Sequence, residues 1–254
     1  MPSLDEQGRI TAILDKADAL LARRAEAQAT LSVYTRHLFL ELIGDPRLNT
    51  KCWPKVRISS LIVDRRGGAN LEPSDFLKSG FPVLHKGAIK QQGRIEIDQK
   101  KKAFVSEAYA EANAKNKVDR RFTVVTLRDL VPAGPTIGLA TNLQHAPSDE
   151  YLLAQGVYGF IFSSTIEPDY FVALSNFPSF RSELRRYAVG STQIHIRTPL
   201  YTAMEIPLPP LAVQRSFVNQ MNVVRHIGAL QEKSACQLDS LFVCLQHRAF
   251  RGEL

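Results

Sequence analysis

The sequence predicts an α+β protein in which one mostly β domain is held between two long terminal helices that pair as an antiparallel coiled coil. Three observations predict this: an internal repeat joining the two ends of the chain, a heptad stripe in each copy, and a change of texture between them. The segment beginning PSLDEQ at Pro2 lies without gaps on PPLAVQ at Pro209, so each residue meets the one 207 positions further on. Leu4 then meets Leu211, Gln7 meets Gln214, Ile10 meets Phe217, Leu31 meets Leu238, Leu38 meets Leu245 and Ile43 meets Phe250. Self-similarity at a fixed offset is the signature of a repeated structural unit.

The first helix opens on Ser3-Leu4-Asp5-Glu6, a capping box whose hydroxyl and carboxylate satisfy two orphan backbone donors. Its stripe runs Ile10, Ile13, Ala17, Leu20, Arg24, Ala27, Leu31, Tyr34 and Leu38, apolar at every position but Arg24. The second copy, Phe217, Gln220, Val224, Ile227, Gln231, Ser234, Leu238, Leu241 and Leu245, is weaker. Both place a polar residue at the same step, Arg24 against Gln231. Such a residue fixes register at some cost in stability, or simply faces solvent. The second helix is launched by IPLPPL, with Pro210 suited to a first helical turn. Gly44 and Gly252 mark the two C-terminal ends. At about 38 residues each helix is roughly 57 Å long, so the two are expected to pair with each other or with another chain.

Between them, short apolar runs (RISSLIV, FPVLHKGAI, RIEI, RFTVVTL, TIGLAT, VYGFIFSS, TQIHI) are punctuated by Gly, Pro, Asn and Asp, which reads as strands and turns. Helical insertions are expected at 106–116 and 178–187, where Ala, Glu, Leu and Arg prevail. The division is therefore 1–44, a long helix; 45–206, the β domain; and 207–254, the second long helix.

A chain of 254 residues that is 44% hydrophobic and 22% charged buries a core and excludes a disordered tail or a fibre. Its most apolar stretch, YLLAQGVYGFIF, is far short of the ~20 residues of a spanning helix, and MPSLDEQGRI has no apolar signal core. A cytoplasmic protein is expected. Cys52, Cys236 and Cys244 form no C-x-x-C pair and read as reduced thiols. The net charge of +7 is unevenly spread. Residues 1–44 hold 5 basic and 6 acidic side chains, 45–206 hold 22 and 16, and 207–254 hold 5 and 3. A basic centre between nearly neutral ends suits a polyanion-facing domain on a neutral support, or an ordinary solvated surface.

Enzymatic motifs are missing: the chain has no phosphate loop, H-E-x-x-H or G-x-S-x-G, and no Asn-Pro-Pro-Tyr type methyltransferase motif. Glu96-Ile97-Asp98-Gln99-Lys100 reads as a hairpin end. The six histidines have no ligand spacing, so no metal is expected.

Several segments resemble the specificity subunits of Type I DNA restriction-modification systems, across nearly the whole chain. IPLPPLAVQRSFV (206–218) is similar to that family's strand-to-helix junction, LQHRAFRGEL (245–254) to its closing helix and LDEQGRITAILDKADAL (4–20) to its other conserved helix. LFLELIGDPRLNTKCWP (38–54) and GSTQIHIRTPLYTAMEIPLPPL (190–211) are similar to the segments leading into and out of a target-recognition domain. The resemblance implies a non-catalytic DNA-reading subunit that directs methyltransferase subunits, and in restriction complexes the restriction subunits, to a bipartite site. It implies no cofactor of its own, with S-adenosylmethionine on the partner methyltransferase. The chain departs from the family pattern in having one recognition domain, so it looks like a half subunit that works as a homodimer on a palindromic target.

Affinity for double-stranded DNA is expected from Lys and Arg on phosphates, and specificity from Gln, Ser, Thr or Arg on base edges. Three stretches carry both kinds. Lys86, Lys90, Gln91, Gln92 and Arg94 crowd a predicted hairpin; Lys100 to Lys102 with Lys115, Lys117, Arg120 and Arg121 make a basic flank; Arg181, Arg185 and Arg186 precede Ser191, Thr192, Gln193 and His195. The third is the first choice. Against this stand two other functions: a coiled-coil regulatory protein whose basic β domain binds something else, and a DNA-recognition subunit serving a different defence effector.

Overall fold

The computed structural model of the chain describes residues 4–97 and 103–251. Two compact units divide it: Phe39–Val218 forms a mixed β unit, and the parts of the two long helices beyond it form the other. In chain order the elements are α1 (Leu4–Leu42), β1 (Lys55–Arg57), α2 (Ile58–Leu61), β2 (Ile62–Gly67), β3 (Phe81–Leu84), β4 (Phe104–Val105), α3 (Glu107–Ala112), β5 (Lys117–Asp119), β6 (Thr123–Thr126), β7 (Arg128–Asp129), β8 (Ala140–Asn142), β9 (Glu150–Leu153), β10 (Val157–Phe162), α4 (Pro168–Asn176), α5 (Pro178–Arg185), β11 (Ile194–His195), α6 (Thr198–Ala203), β12 (Glu205–Pro207) and α7 (Leu211–Arg251).

Both long helices form, but their less exposed stripe is displaced from the one expected. On α1 it follows Ile10, Ile13, Leu14, Ala17, Leu21, Arg24, Ala27, Leu31, Thr35 and Leu38; Leu20 and Tyr34 are 45% and 49% exposed. On α7 it follows Phe217, Met221, Val224, Gly228 and Gln231, with Ile227 exposed. Leu20, Tyr34 and Ile227 of the expected stripe therefore give way to Leu21, Thr35 and Gly228, while Ile13, Ala27 and Gln220 stay half-buried as expected. The sequence is ambiguous there, because Ile13-Leu14 and Leu20-Leu21 offer an apolar side chain at both the i+3 and the i+4 step. Ile10/Phe217, Leu14/Met221, Ala17/Val224, Leu21/Gly228 and Arg24/Gln231 are all related by the repeat, so the two helices use equivalent faces. Arg24 and Gln231 are both half-buried, and an Arg24 Nη2 donates to the Ser234 hydroxyl.

The C-terminal stop of α1 is as expected. Gly44 takes a φ of +87°, its amide donates to the Phe39 and Leu40 carbonyls, and a Cβ there would strike Thr50. α7 starts one residue after Pro210, whose carbonyl accepts from the Val213 and Gln214 amides. The capping residue Ser3 and Gly252 lie outside the described residues, as do Lys100 to Lys102 and most of the Glu96 to Lys100 string.

Two four-stranded sheets build the β unit, in the orders β2-β10-β6-β8 and β4-β3-β9-β5. All pairs are antiparallel except β3 with β9. Side chains alternate along a strand. Tyr151 and Leu153 of β9 thus enter one core cluster with Leu84, Val118, Phe122 and Val157, while Leu152 enters another with Val83 and Val105. A strand buried on both faces reads as a continuous apolar run, which accounts for FPVL and EYLL.

FPVLHKGAI, RFTVVTL, VYGFIFSS and TQIHI hold β3, β6, β10 and β11, RISSLIV and TIGLAT overlap β2 and β8, RIEI forms only the Ile89–Ile95 bridge, and the two expected helical insertions hold α3 and α5. The sequence reading missed α4, PDYFVALSN. Asp169, Tyr170, Phe171, Val172, Leu174 and Ser175 are all buried, and a helix covered nearly all round has no amphipathic period. RISSLIV is a correction too, since its first half is the short helix α2.

The segments that lead into and out of the β domain meet as β1 and β12, with Val56 opposite Ile206. Gln214, fully buried at the start of α7, locks this junction. Its Nε2 donates to the Pro209 carbonyl at 2.7 Å and the Thr165 carbonyl at 3.3 Å, and its Oε1 accepts from the Glu167 amide at 2.9 Å. The described helices include none long and apolar enough to cross a membrane.

Candidate nucleic-acid interface

The two-residue strand β7 carries opposite chemistry on its two faces. Asp129 points inward and is buried. It accepts from the Thr136 hydroxyl at 2.6 Å, the Thr136 amide at 2.7 Å and the Val131 amide at 3.2 Å. Burial opposes its charge, but the bonds from Thr136 and from the Val131 and Leu130 amides outweigh that cost and hold the carboxyl below the ordinary range. With its carboxylate spent on the 130–136 loop, the strand leaves Arg128 to face outward.

Arg128 joins two turns that are far apart in sequence. Its Nη1 donates to Gln155 Oε1 and its Nη2 to Gln193 Oε1, each at 2.6 Å. Gln155 sits in the turn between β9 and β10, and both glutamines are exposed. Gly156 makes the crossing feasible: its φ is +88°, and a Cβ there would lie 2.5 Å from Arg128 Cβ. The Arg128 stem therefore rests on the bare backbone of that turn. Gln193 closes a short turn from Gly190, held by the paired backbone bonds between Val189 and His195, both 2.9 Å. β11 then pairs with β7, setting His195 directly opposite Arg128.

Lys86 completes the patch. Desolvation lowers its pKa, the charge of Arg128 lowers it further, and Asp129 only partly offsets them. Among the described residues neither Lys86 nor Arg128 forms an ion pair. Two cations close enough to act on each other, with the nearby Asp129 carboxylate bonded to Thr136, suit an anionic ligand.

The stretches singled out from the sequence are thus redistributed. Lys86 from the first joins Gln193 and His195 from the third. Lys90, Gln91, Gln92 and Arg94 form a separate tip, closed by the Ile89–Ile95 bridge and bound through Gly93 O, which accepts from the Thr141 hydroxyl at 2.7 Å. Ser191, Thr192, Arg185 and Arg186 are exposed, with Arg186 3.3 Å from Glu183.

Arg181 requires a correction. It is only 7% exposed, its Nε donates to the Ile137 carbonyl at 3.0 Å, and an Nη2 bonds the Pro135 carbonyl. Desolvation first, and then Arg185, push its pKa down to about 10. It braces the 130–137 loop from behind and is not presented to a phosphate. The basic flank is corrected as well. Lys117 is held by Glu111 at 2.8 Å and Glu150 at 3.6 Å, Arg120 pairs with Asp149, and Arg121 pairs with Asp119 at 2.7 Å. Among the described members of this flank, Lys115 alone is exposed and forms no ion pair.

Sequence reasoning missed Arg128 and Gln155. One signal was present: Gln155-Gly156 is a turn dipeptide between two apolar runs, and turns of this kind carry binding side chains. Nothing in the sequence linked it to Arg128. Among the described residues no group of three or more His, Cys, Asp or Glu is arranged to hold a metal ion.

A β unit carried on two repeat-related long helices, with its junctions paired as β1 and β12, defines a class: the fold is that of Type I restriction-modification specificity subunits. It is similar over its whole length to the HsdS subunit from Thermoanaerobacter tengcongensis, with a TM-score of 0.55 and 18% identity, covering 60% of that chain. It is similar over 97% of its length to the Type I restriction-modification S subunit from M. genitalium, with a TM-score of 0.59 and 14% identity, covering 61% of that chain. In sequence it is 23% identical, over 94% of its length, to the specificity subunit of the Type I restriction enzyme MjaVIII from Methanocaldococcus jannaschii. No family description matches the chain. The chain spans 58% of that relative's length. The resemblance read from the motifs therefore holds, for a chain with a single β unit.

Proposed function

We propose that this chain is a DNA sequence-specificity subunit, without a reaction of its own, whose β unit reads one half of a bipartite target and whose helices set the distance to the other half. The observation that carries this reading is the outward cluster of Arg128, Gln155, Gln193 and Lys86. It combines unpaired positive charge for phosphates with carboxamides for base edges. The similarity to specificity subunits supports it, as does the excess of basic residues in the central segment.

In this reading the two long helices pair as an antiparallel coiled coil, which the matched stripes and the Arg24–Ser234 bond support. Two copies associate through the helices, so the half-sites are inverted repeats at a fixed spacing. Methyltransferase subunits dock on the helices and bring S-adenosylmethionine, and restriction subunits join that complex. Lys86, Arg185, Arg186 and the Lys90–Arg94 tip neutralise phosphates, while Ser191, Thr192, Gln193 and His195 lie closest to base edges.

The test is to express the chain with its neighbouring methyltransferase and map DNA methylation. An interrupted palindromic motif is the expected result; methylation without sequence preference refutes the reading. A gel shift at two salt concentrations separates the regulatory alternative, because sequence-dependent binding that survives competitor DNA favours a DNA-reading subunit over a regulatory coiled-coil protein.

A further inference from the structure

Arginine carries only donors, so the carboxamide oxygens of Gln155 and Gln193 are the atoms that face Arg128, as the two 2.6 Å bonds require. Both amide NH2 groups are thereby turned away from the guanidinium. Among the described residues neither NH2 group has a hydrogen-bond partner. What this cluster offers a ligand is donors: two amide NH2 groups and the remaining guanidinium hydrogens. In the major groove guanine presents two acceptors, N7 and O6, whereas adenine pairs an acceptor with a donor and cytosine presents a donor. A carboxamide with both ends unbound suits adenine best; one whose oxygen already accepts from an arginine keeps a single free lone pair beside two free N–H donors, which favours an edge rich in acceptors.

We infer that Gln155 and Gln193, clamped by Arg128 across the bare backbone of Gly156, form a donor-rich reading head for the major-groove edge of guanine. This rests on the DNA-specificity reading and goes beyond it by naming the base. Arg128 is here a positioning residue as well as a donor, because its planar fork holds both carboxamides in one orientation. Lysine supplies the charge without the fork.

The decisive experiment is selection of bound sequences from a randomised double-stranded DNA pool by the full-length chain and three variants. Gln193→Glu keeps an oxygen for Arg128 but presents a second oxygen in place of the NH2 group, so one guanine of the selected motif is expected to become cytosine. Gln155→Leu should lose preference at a different position, and Arg128→Lys at both. Affinity for the wild-type motif should fall about tenfold in each case. Gln155 and Gln193 are exposed and Arg128 is half-buried, and circular dichroism verifies that each variant is folded. A wild-type motif without guanine, or an unchanged motif in Gln193→Glu, overturns the inference and leaves the specificity reading intact. Uniform weakening of all sequences identifies a phosphate contact and also overturns it. If the wild-type chain selects no motif, the specificity reading fails and the inference with it.

Discussion

Arg24 of α1 donates a hydrogen bond to the hydroxyl of Ser234 of α7, while its other Nη and the Oε1 of Gln231 are buried without a partner among the described residues. Arg24 and Gln231 occupy equivalent places in the repeat, so each helix sets a long polar side chain at the same step of its half-buried stripe. A polar group at such a position lowers stability and restricts the register and number of helices that fit together.

Arg24→Leu should therefore raise the thermal midpoint of the helical signal and broaden the distribution of oligomers. Circular dichroism melting and sedimentation velocity measure the two effects. A lower midpoint together with a single sharp species would contradict this account.

Arg181→Ala should destabilise the β unit by about 2–3 kcal/mol, because the Ile137 and Pro135 carbonyls lose their buried donor. The salt dependence of DNA binding should not change. Arg185→Ala should behave in the opposite way, with near-native stability, weaker binding to all sequences and a flatter salt slope. Urea unfolding and salt titrations separate the two. A reduced salt slope in Arg181→Ala would return it to the DNA face.

Asp129→Asn should cost about 1–3 kcal/mol at neutral pH. The folded carboxyl lies below its ordinary value of 3.8, so its contribution is complete above that value and is lost as pH falls through the folded pKa. Wild type and variant should converge in strongly acidic solution. Stability curves that stay parallel down to that range would show that the loop is not held by the charge.

Gln214→Ala should destabilise by about 2–3 kcal/mol, since the amide of Glu167 and the carbonyls of Pro209 and Thr165 lose their partner together. Gln214→Glu should be worse, because it sets a carboxylate oxygen against two carbonyls. Denaturant midpoints followed by Trp53 fluorescence measure both variants. Equal stability of Gln214→Glu and wild type would be decisive against this role.

Removing residues 232–254 should abolish co-purification with the methyltransferase while some DNA affinity remains. Pull-down and gel shift on one preparation measure both. Recovery of the full complex would move the docking surface to the β unit.

The two long helices, their repeat relation and the β texture between them are legible in the residues alone. These follow from local chemistry: a heptad period, a glycine stop, and proline and asparagine turns recur within a few residues of what they control. The sequence left the helix faces ambiguous where leucine or isoleucine stands at both of two neighbouring steps, and it hid α4, whose burial on most sides erases any period. The candidate site lay beyond local reading. Gln155 and Gln193 lie 27 and 65 residues from Arg128, and only the pairing of β7 with β11 and the turn at Gly156 bring the three together. Arg181 makes the same point in reverse. A basic residue beside two exposed arginines is indistinguishable from them in sequence, and its role is decided by which carbonyls the folded loop turns toward it.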